Sequence, residues 1–250
     1  MTAQRVLVTG GANGLGRAIV ERFAAAGSNV VIADLDSDSA DAAAETIHPR
    51  PKVIRMDMRS AAEVSDGVEK AAAALGGLDV LVNCAGIELV GPLLEADEES
   101  LRNLFDVNVF GAFRVTKAAL RHLRASSHPA IVNISSAAGL AGSPMLAAYS
   151  MSKAALIRMT EALAIELRPV GIRCNAICPA LTGPTRMVDA LIAPFAATGV
   201  PIEQVLAKQG GRMCRAEEVA ELVAFLSSTE SSLINGAHYV IDGGLTASVL

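Results

Sequence analysis

No stretch of this chain approaches the ~18–20 uninterrupted apolar residues of a membrane span. Its apolar fraction is nevertheless 52%, much of it alanine scattered at helical spacing. There is no basic block, and the formal net charge is -5, which argues against a nucleic-acid or anionic-membrane surface. The four cysteines, Cys84, Cys174, Cys178 and Cys214, form no C-x-x-C pair of the metal-binding kind. They read as buried reduced thiols, the usage of a cytoplasmic protein. No internal repeat, low-complexity tract or linker interrupts the chain. The N-terminal TAQRVLVTGG passes directly into a strand-like run, so no signal or transit segment is expected.

What is present is an alternation. Apolar runs at 5–9, 29–33, 52–56, 78–83, 131–134, 172–178 and 237–241 predict seven strands. Between them lie Ala- and Leu-rich stretches of helical character, including 60–75, 97–124, 147–168 and 215–228. Asp97 is placed to cap the second of these. The order predicts an α/β fold: a Rossmann-type doubly wound, mostly parallel seven-stranded sheet with helices on both faces, in a single domain over 1–250. Residues 180–214 depart from the pattern. Pro184, Pro194 and Pro201, with Gly199, Gly210 and Gly211, break them into short pieces. An insertion of this length predicts a lid or a substrate wall.

The first strand ends in GGANGLG. Glycines at 10, 14 and 16 permit a tight turn and close approach of backbone to a phosphate, with the N–H groups of a helix start facing the anion. The spacing is Gly-x-x-x-Gly-x-Gly, and alone it is also a plain glycine turn. Asp34 ends the second strand, eighteen residues past Gly16. An acid there suits the adenosine ribose hydroxyls and repels a 2′-phosphate. Asn13 stands where a basic residue would serve that phosphate. Both features favour NAD over NADP. The competing reading of Asp34 is a helix-capping residue opening the polar run DLDSDS.

The fifth strand stops at Ser135 and Ser136, and a long helix follows. Tyr149 and Lys153 sit on that helix at i and i+4, on one face. Tyrosine is a poor base at its reference pKa of about 10. Work near neutral pH needs a drop of ~2–3 units; a lysine ammonium one turn away is expected to supply much of it, and a bound, oxidised nicotinamide to add to it. Such a phenol moves protons as a general acid/base, and Ser136 is placed to bond the same substrate oxygen. Taken alone, Tyr-x-x-x-Lys is equally a half-buried aromatic beside a solvated lysine. Asn108 lies inside a predicted helix, where asparagine is a mediocre former.

Taken together, these residues resemble the short-chain dehydrogenase/reductase family over nearly the whole chain. The matching motifs are TGGANGLG at 9–16, Asp57, NCAG at 83–86, Asn108, Ser136, YSMSK at 149–153, Pro179 and DGG at 242–244. The resemblance implies that Ser136 polarises the substrate oxygen and Tyr149 is the acid/base. It implies that Lys153 tunes Tyr149 and holds the nicotinamide ribose, and that Asn108 anchors a water linking Lys153 to solvent. It further implies an NAD site built from Gly10, Asn13, Gly14, Leu15, Gly16, Asp34, Leu35, Asp57, Met58, Asn83, Ala85, Gly86, Tyr149, Lys153, Pro179 and Thr182. No metal is implied. Cys84 replaces the second Asn of the usual NNAG, and Ala180 replaces the Gly of a usual Pro-Gly. Pro184 stands where a threonine is expected, with Thr182 and Thr185 on either side, leaving open which one meets the nicotinamide.

Three functions compete on these residues. The first is an NAD-dependent oxidoreductase interconverting a secondary alcohol and a ketone. The second is a 3-ketoacyl carrier-protein reductase using NADPH. The third is a non-catalytic NAD-binding module. The full Asn/Ser/Tyr/Lys set disfavours the third. Asp34, and the absence of basic residues at Ser127-His128 and Val170, disfavour the second. Leu140, Met145, Leu181, Met187, Leu191 and Phe195 are candidates for an apolar pocket, hence an apolar or cyclic small-molecule substrate. The helices at 97–124 and 149–169 carry more apolar surface than one sheet face needs. In the resembling family such helices pair, so a homotetramer is expected.

Overall fold

The computed structural model describes residues 3–143, 145–197, 199 and 201–247. One sheet runs through it in the order β3-β2-β1-β4-β5-β6-β7. The strands are β1 Arg5–Thr9, β2 Asn29–Asp34, β3 Lys52–Arg55, β4 Val80–Asn83, β5 Ala130–Ile134, β6 Arg173–Pro179 and β7 His238–Ile241. Every pair is parallel, where the sequence predicts a mostly parallel sheet. Near-continuous Val, Ile and Leu runs are what strands buried on both faces require.

The pleat divides those runs between two cores. Val6, Val8, Val30, Ile32, Val80, Val82 and Val132 face one side. There they meet Ile19 and Phe23 of α1 (Gly14–Ala25), Ala40 and Ala44 of α2 (Ser37–Thr46), and Val219 and Val223 of α9 (Ala216–Ser227). Leu7, Val31, Leu81, Ile131 and Cys174 face the other. They pack on α3 (Ala61–Leu75), α5 (Ala112–Leu123) and α6 (Ala147–Leu167).

Two predicted elements differ in detail. The helix expected over 97–124 is broken. Asp97 does cap α4 (Glu98–Phe105), accepting from Ser100 N at 2.8 Å. A π turn over Asp106–Gly111 then precedes α5. Such turns insert a residue into the helical ladder and commonly mark functional sites. Residues 180–214 are not irregular throughout: α7 (Arg186–Ala197) and α8 (Ile202–Lys208) form within them. Pro194 lies inside α7 without ending it, forfeiting one ladder hydrogen bond near the helix end.

Strand order reverses between β1 and β4, because β1 runs on to β2 and β3 while β4 opens the other half. The crevice outside the carboxyl ends of these strands is where open α/β sheets hold ligands. α7 and α8 supply a wall over it.

Candidate active site

A cleft of about 1490 Å³ opens at those strand ends. Its floor begins at the turn after β1. Gly10 has φ 68°, and a Cβ there would stand 2.7 Å from Ala85 Cα. A Cβ on Gly16 would stand 2.0 Å from the Gly10 carbonyl oxygen. The turn closes only with glycine at both places. Thr9 Oγ1 accepts from Cys84 N (3.1 Å) and Ala85 N (3.2 Å), binding the turn after β4 to it. Asp34 Oδ2 accepts from Ala12 N at 3.0 Å and Oδ1 from Asp36 N at 3.1 Å. Asp34 thus braces the glycine turn and still borders the cleft. It does not cap α2; Asp36 does, accepting from Ser39 N at 3.0 Å.

The cleft brings together Gly10, Asn13, Gly14, Leu15, Gly16, Asp34, Leu35, Asp57, Met58, Ala85, Gly86, Ser136, Tyr149, Lys153, Pro179 and Thr182. Thr185 also lines it and lies against Gly14, 3.4 Å from the position of an added Cβ. A glycine cradle at a helix N-terminus, an acid at the end of β2 and a long channel fit a nicotinamide dinucleotide.

Two predicted residues stand elsewhere. Asn83 does not border the cleft. Its side chain turns into the core and donates to Asn133 Oδ1 (2.8 Å) and Thr116 Oγ1 (3.1 Å). It ends a buried strand, and a buried amide must find partners where the pleat points it. Asn108 is buried behind the lining. Its Oδ1 accepts from Ile87 N at 2.8 Å, and its Nδ2 donates to Ile87 O (2.9 Å) and Ser152 Oγ (3.0 Å). The π turn aims this amide at Gly86-Ile87. A Cβ at Gly86 would fall 3.2 Å from Asn108 Oδ1 and 3.3 Å from Lys153 Nζ. Asn108 therefore positions the 86–88 backbone and contacts no cleft space itself.

Asp57 borders the cleft with its carboxylate engaged by Arg59 at 2.7 Å. That bond holds the acid below its usual range. Leu181, Met187, Leu191 and Phe195 form the apolar wall. Leu140 and Met145, also expected there, are not part of the lining.

At the far end Ser136, Tyr149 and Lys153 converge. Ser136 Oγ accepts from Ala138 N at 3.1 Å and reaches Pro179 O only at 3.4 Å. Its neighbour Ser135 is buried and donates to Lys153 O at 2.8 Å. Tyr149 and Lys153 are 8% and 4% exposed. Lys153 Nζ donates to Ile134 O at 2.9 Å and lies over the Tyr149 ring. The expectation of a lowered Tyr149 pKa does not hold for the protein alone. Burial pushes the phenol above its ordinary value, the Ser136 hydroxyl offsets part of this, and the charge of Glu88 adds to it. Burial also lowers Lys153, to about 8.

Cys84, part of the NCAG motif, lines the cleft, and sequence reasoning missed Glu88 as a lining residue. Glu88 follows NCAG by two residues and carries no motif signal. Only its place beside a strand end in the cleft marks it.

The sheet order and the cleft define a Rossmann-type nucleotide-binding oxidoreductase. A family model described as enoyl-(acyl carrier protein) reductase matches residues 10–246. The L-2,3-butanediol dehydrogenase of Corynebacterium glutamicum is 38% identical over 96% of this chain and 97% of its own. The cis-4-hydroxycyclohexanecarboxylate dehydrogenase of Sinomonas cyclohexanicum is 38% identical over 98% of each. A crystal structure of NAD+-bound xylitol dehydrogenase superposes with a TM-score of 0.90 at 30% identity, covering 96% of this chain and 97% of that one. The chain belongs to the short-chain dehydrogenase/reductase family. It is an oxidoreductase of CH–OH donors that works with a nicotinamide cofactor.

Proposed function

We propose that the protein interconverts a secondary alcohol and its ketone with NAD(H), on a small apolar or cyclic molecule. The observation that carries this is the convergence of Ser136, Tyr149 and Lys153 on a cleft walled by Leu181, Met187, Leu191 and Phe195. Relatives named as dehydrogenases of butanediol, hydroxysteroids and a hydroxycyclohexanecarboxylate support it. Asp34, at the end of β2 with no basic residue at Asn13, supports NAD over NADP.

NAD, when bound, supplies the hydride acceptor and a positive charge beside the phenol. Tyr149 takes the substrate hydroxyl proton in oxidation and returns it in reduction. Ser136 keeps its hydroxyl hydrogen only loosely committed to Pro179 O, so it turns readily to the substrate oxygen. Lys153, beside the Tyr149 ring, favours the phenolate and holds the ribose hydroxyls. Gly10, Gly14 and Gly16 take the pyrophosphate, and Asp34 with Leu35 borders the adenosine ribose. Asp57 and Met58 flank the adenine. Pro179 and Thr182 border the nicotinamide. Asn108 fixes the 86–88 backbone against which a water links Lys153 to solvent.

Turnover of cyclic or apolar secondary alcohols with NAD tests the reading. Activity confined to a carrier-bound 3-ketoacyl substrate with NADPH contradicts it.

Phe110, Phe113, Met151 and Ile165 stand exposed on the π turn, α5 and α6. They support a homotetramer in which these helices pair between subunits. A monomer mass by sedimentation at micromolar concentration contradicts it. The unpaired cysteines support a cytoplasmic setting. Among the described residues no helix is long and apolar enough to cross a membrane.

A further inference from the structure

The wall that α8 adds to the cleft carries a charge that the proton and hydride chemistry does not use. Gln204, Val205 and Lys208 of α8 line the cleft. Gln204 and Lys208 stand one turn apart on one helix face, and both are exposed. Two contacts hold this helix over the substrate half of the cleft. Val205 packs on the cluster that contains Tyr149, Leu191 and Phe195. The buried side chain of Gln209 clasps the backbone of Leu181, accepting from its N–H at 3.1 Å and donating to its carbonyl at 2.8 Å. Among the described residues two other cations line the cleft, and both are committed. Arg59 pairs with Asp57 at 2.7 Å, and Lys153 is buried and donates to Ile134 O. Lys208 has no ion-pair partner among the described residues. The lining acids do not serve it. Asp34 and Asp57 belong to the β2 and β3 half of the sheet, beyond the switch point. Glu88 has its Oε2 buried in the protein.

We propose that Lys208 is a specificity-determining residue whose ammonium, with the Gln204 amide beside it, holds a carboxylate at the end of the substrate remote from the carbinol. The preferred substrates are then secondary alcohols on an apolar or cyclic skeleton that ends in a carboxylate, and in the reverse direction the matching keto acids. Ser136 and Tyr149 take the reacting oxygen, Leu181, Leu191 and Phe195 take the carbon skeleton, and α8 takes the charge. This rests on the alcohol–ketone reading of the same cleft. The order along the cleft follows from the packing. Val205 joins the cluster that contains Tyr149, and Lys208 lies one turn further on, at the exposed end of the helix. A lysine stem lies along an apolar wall while its head stays in water. An anion met there escapes the cost of burying a charge pair.

The test compares (4-hydroxycyclohexyl)acetate with its amide, which share a skeleton and differ in charge. Each is assayed with NAD for the unaltered protein, Lys208→Met, Lys208→Arg and Lys208→Glu. The unaltered protein is expected to favour the acid at least about fivefold in kcat/KM, the upper worth of an exposed ion pair. That advantage should shrink as salt rises from about 0.01 to 1 M. Lys208→Met, which keeps the apolar stem, loses the advantage through KM. Lys208→Arg retains it, and Lys208→Glu turns it into a preference for the amide. NAD binding by calorimetry is unchanged in the variants, which shows that they are folded. Acid and amide oxidised equally well by the unaltered protein overturn the proposal. So does an acid advantage that survives Lys208→Met or ignores salt. An equal loss on both substrates in Lys208→Met overturns it too, because a lysine serving only the α8 dipole would give that result. Oxidation of neither substrate with NAD or NADP overturns the alcohol–ketone reading and Lys208's role with it, a pattern distinct from turnover of both without an acid advantage.

Discussion

Lys153 Nζ lies over the Tyr149 ring, 5.6 Å from its centroid, and gives one of its three hydrogen bonds to the Ile134 carbonyl at 2.9 Å. The two groups are buried side by side. Two consequences can be measured.

The first concerns Tyr149 in the protein without cofactor. Burial holds its phenol above the ordinary tyrosine value. The chain has two tyrosines and no tryptophan, so tyrosinate absorbance is readily resolved. The ultraviolet titration of the unaltered protein minus that of Tyr149→Phe should show no phenolate below about pH 10, the free value. A step near neutral pH in that difference would mean that Lys153 tunes the phenol without help.

The second concerns Lys153. Its folded pKa, about 8, lies below its ordinary 10.5. Between these values the unfolded chain holds a proton that the folded protein has released, so this group's contribution to stability rises with pH from about 8 upward. Below pH 8 the full cost of burying it is present. Lys153→Met removes that dependence. Its unfolding free energy relative to the unaltered protein should be most favourable near pH 7 and should decline by pH 10. A difference that stays flat across that window would place the lysine in water.

Gly16 meets the Gly10 carbonyl with no room for a methyl group. Gly16→Ala must displace backbone, where overpacking costs about 1–3 kcal/mol. A lowered Tm and a weakened Kd for NAD are expected together. Unchanged NAD affinity in a folded variant would remove this turn from the cofactor site.

In the proposed reading Asp34 and Leu35 set the cofactor. Asp34→Ser with Leu35→Arg removes the anion and adds a cation where a 2′-phosphate would lie. Preference should move toward NADP(H) by at least about tenfold, or 1.4 kcal/mol. Calorimetry showing tighter NADPH than NADH binding to the unaltered protein would contradict the starting point.

The strands and most of the cleft were legible because they follow from local rules. Buried parallel strands must be apolar, and the Gly10, Gly16 and Asp34 positions are forced by close approach and charge. What escaped the sequence depends on direction. Asn83 sits in a cofactor-like motif, yet the pleat points its amide at Asn133 and Thr116. Asn108 reads as an ordinary helix residue until the π turn aims it at Ile87. Spacing brings Tyr149 and Lys153 to one helix face but says nothing of burial, which decides the sign of the pKa shift. Glu88 carries no motif, and its buried Oε2, without a hydrogen-bond partner among the described residues, shows only in the structure.

The most direct test of the site is kcat for Tyr149→Phe, measured beside its Kd for NAD. The substitution keeps the ring and its packing against Leu104, Leu146 and Ala148 and removes only the proton-bearing oxygen. General acid/base catalysis contributes about 10²–10⁴ in rate, so kcat should fall by at least that lower bound while NAD affinity changes little. A variant that retains more than about a tenth of kcat, well above what loss of an acid/base leaves, would show that the proton moves through another group.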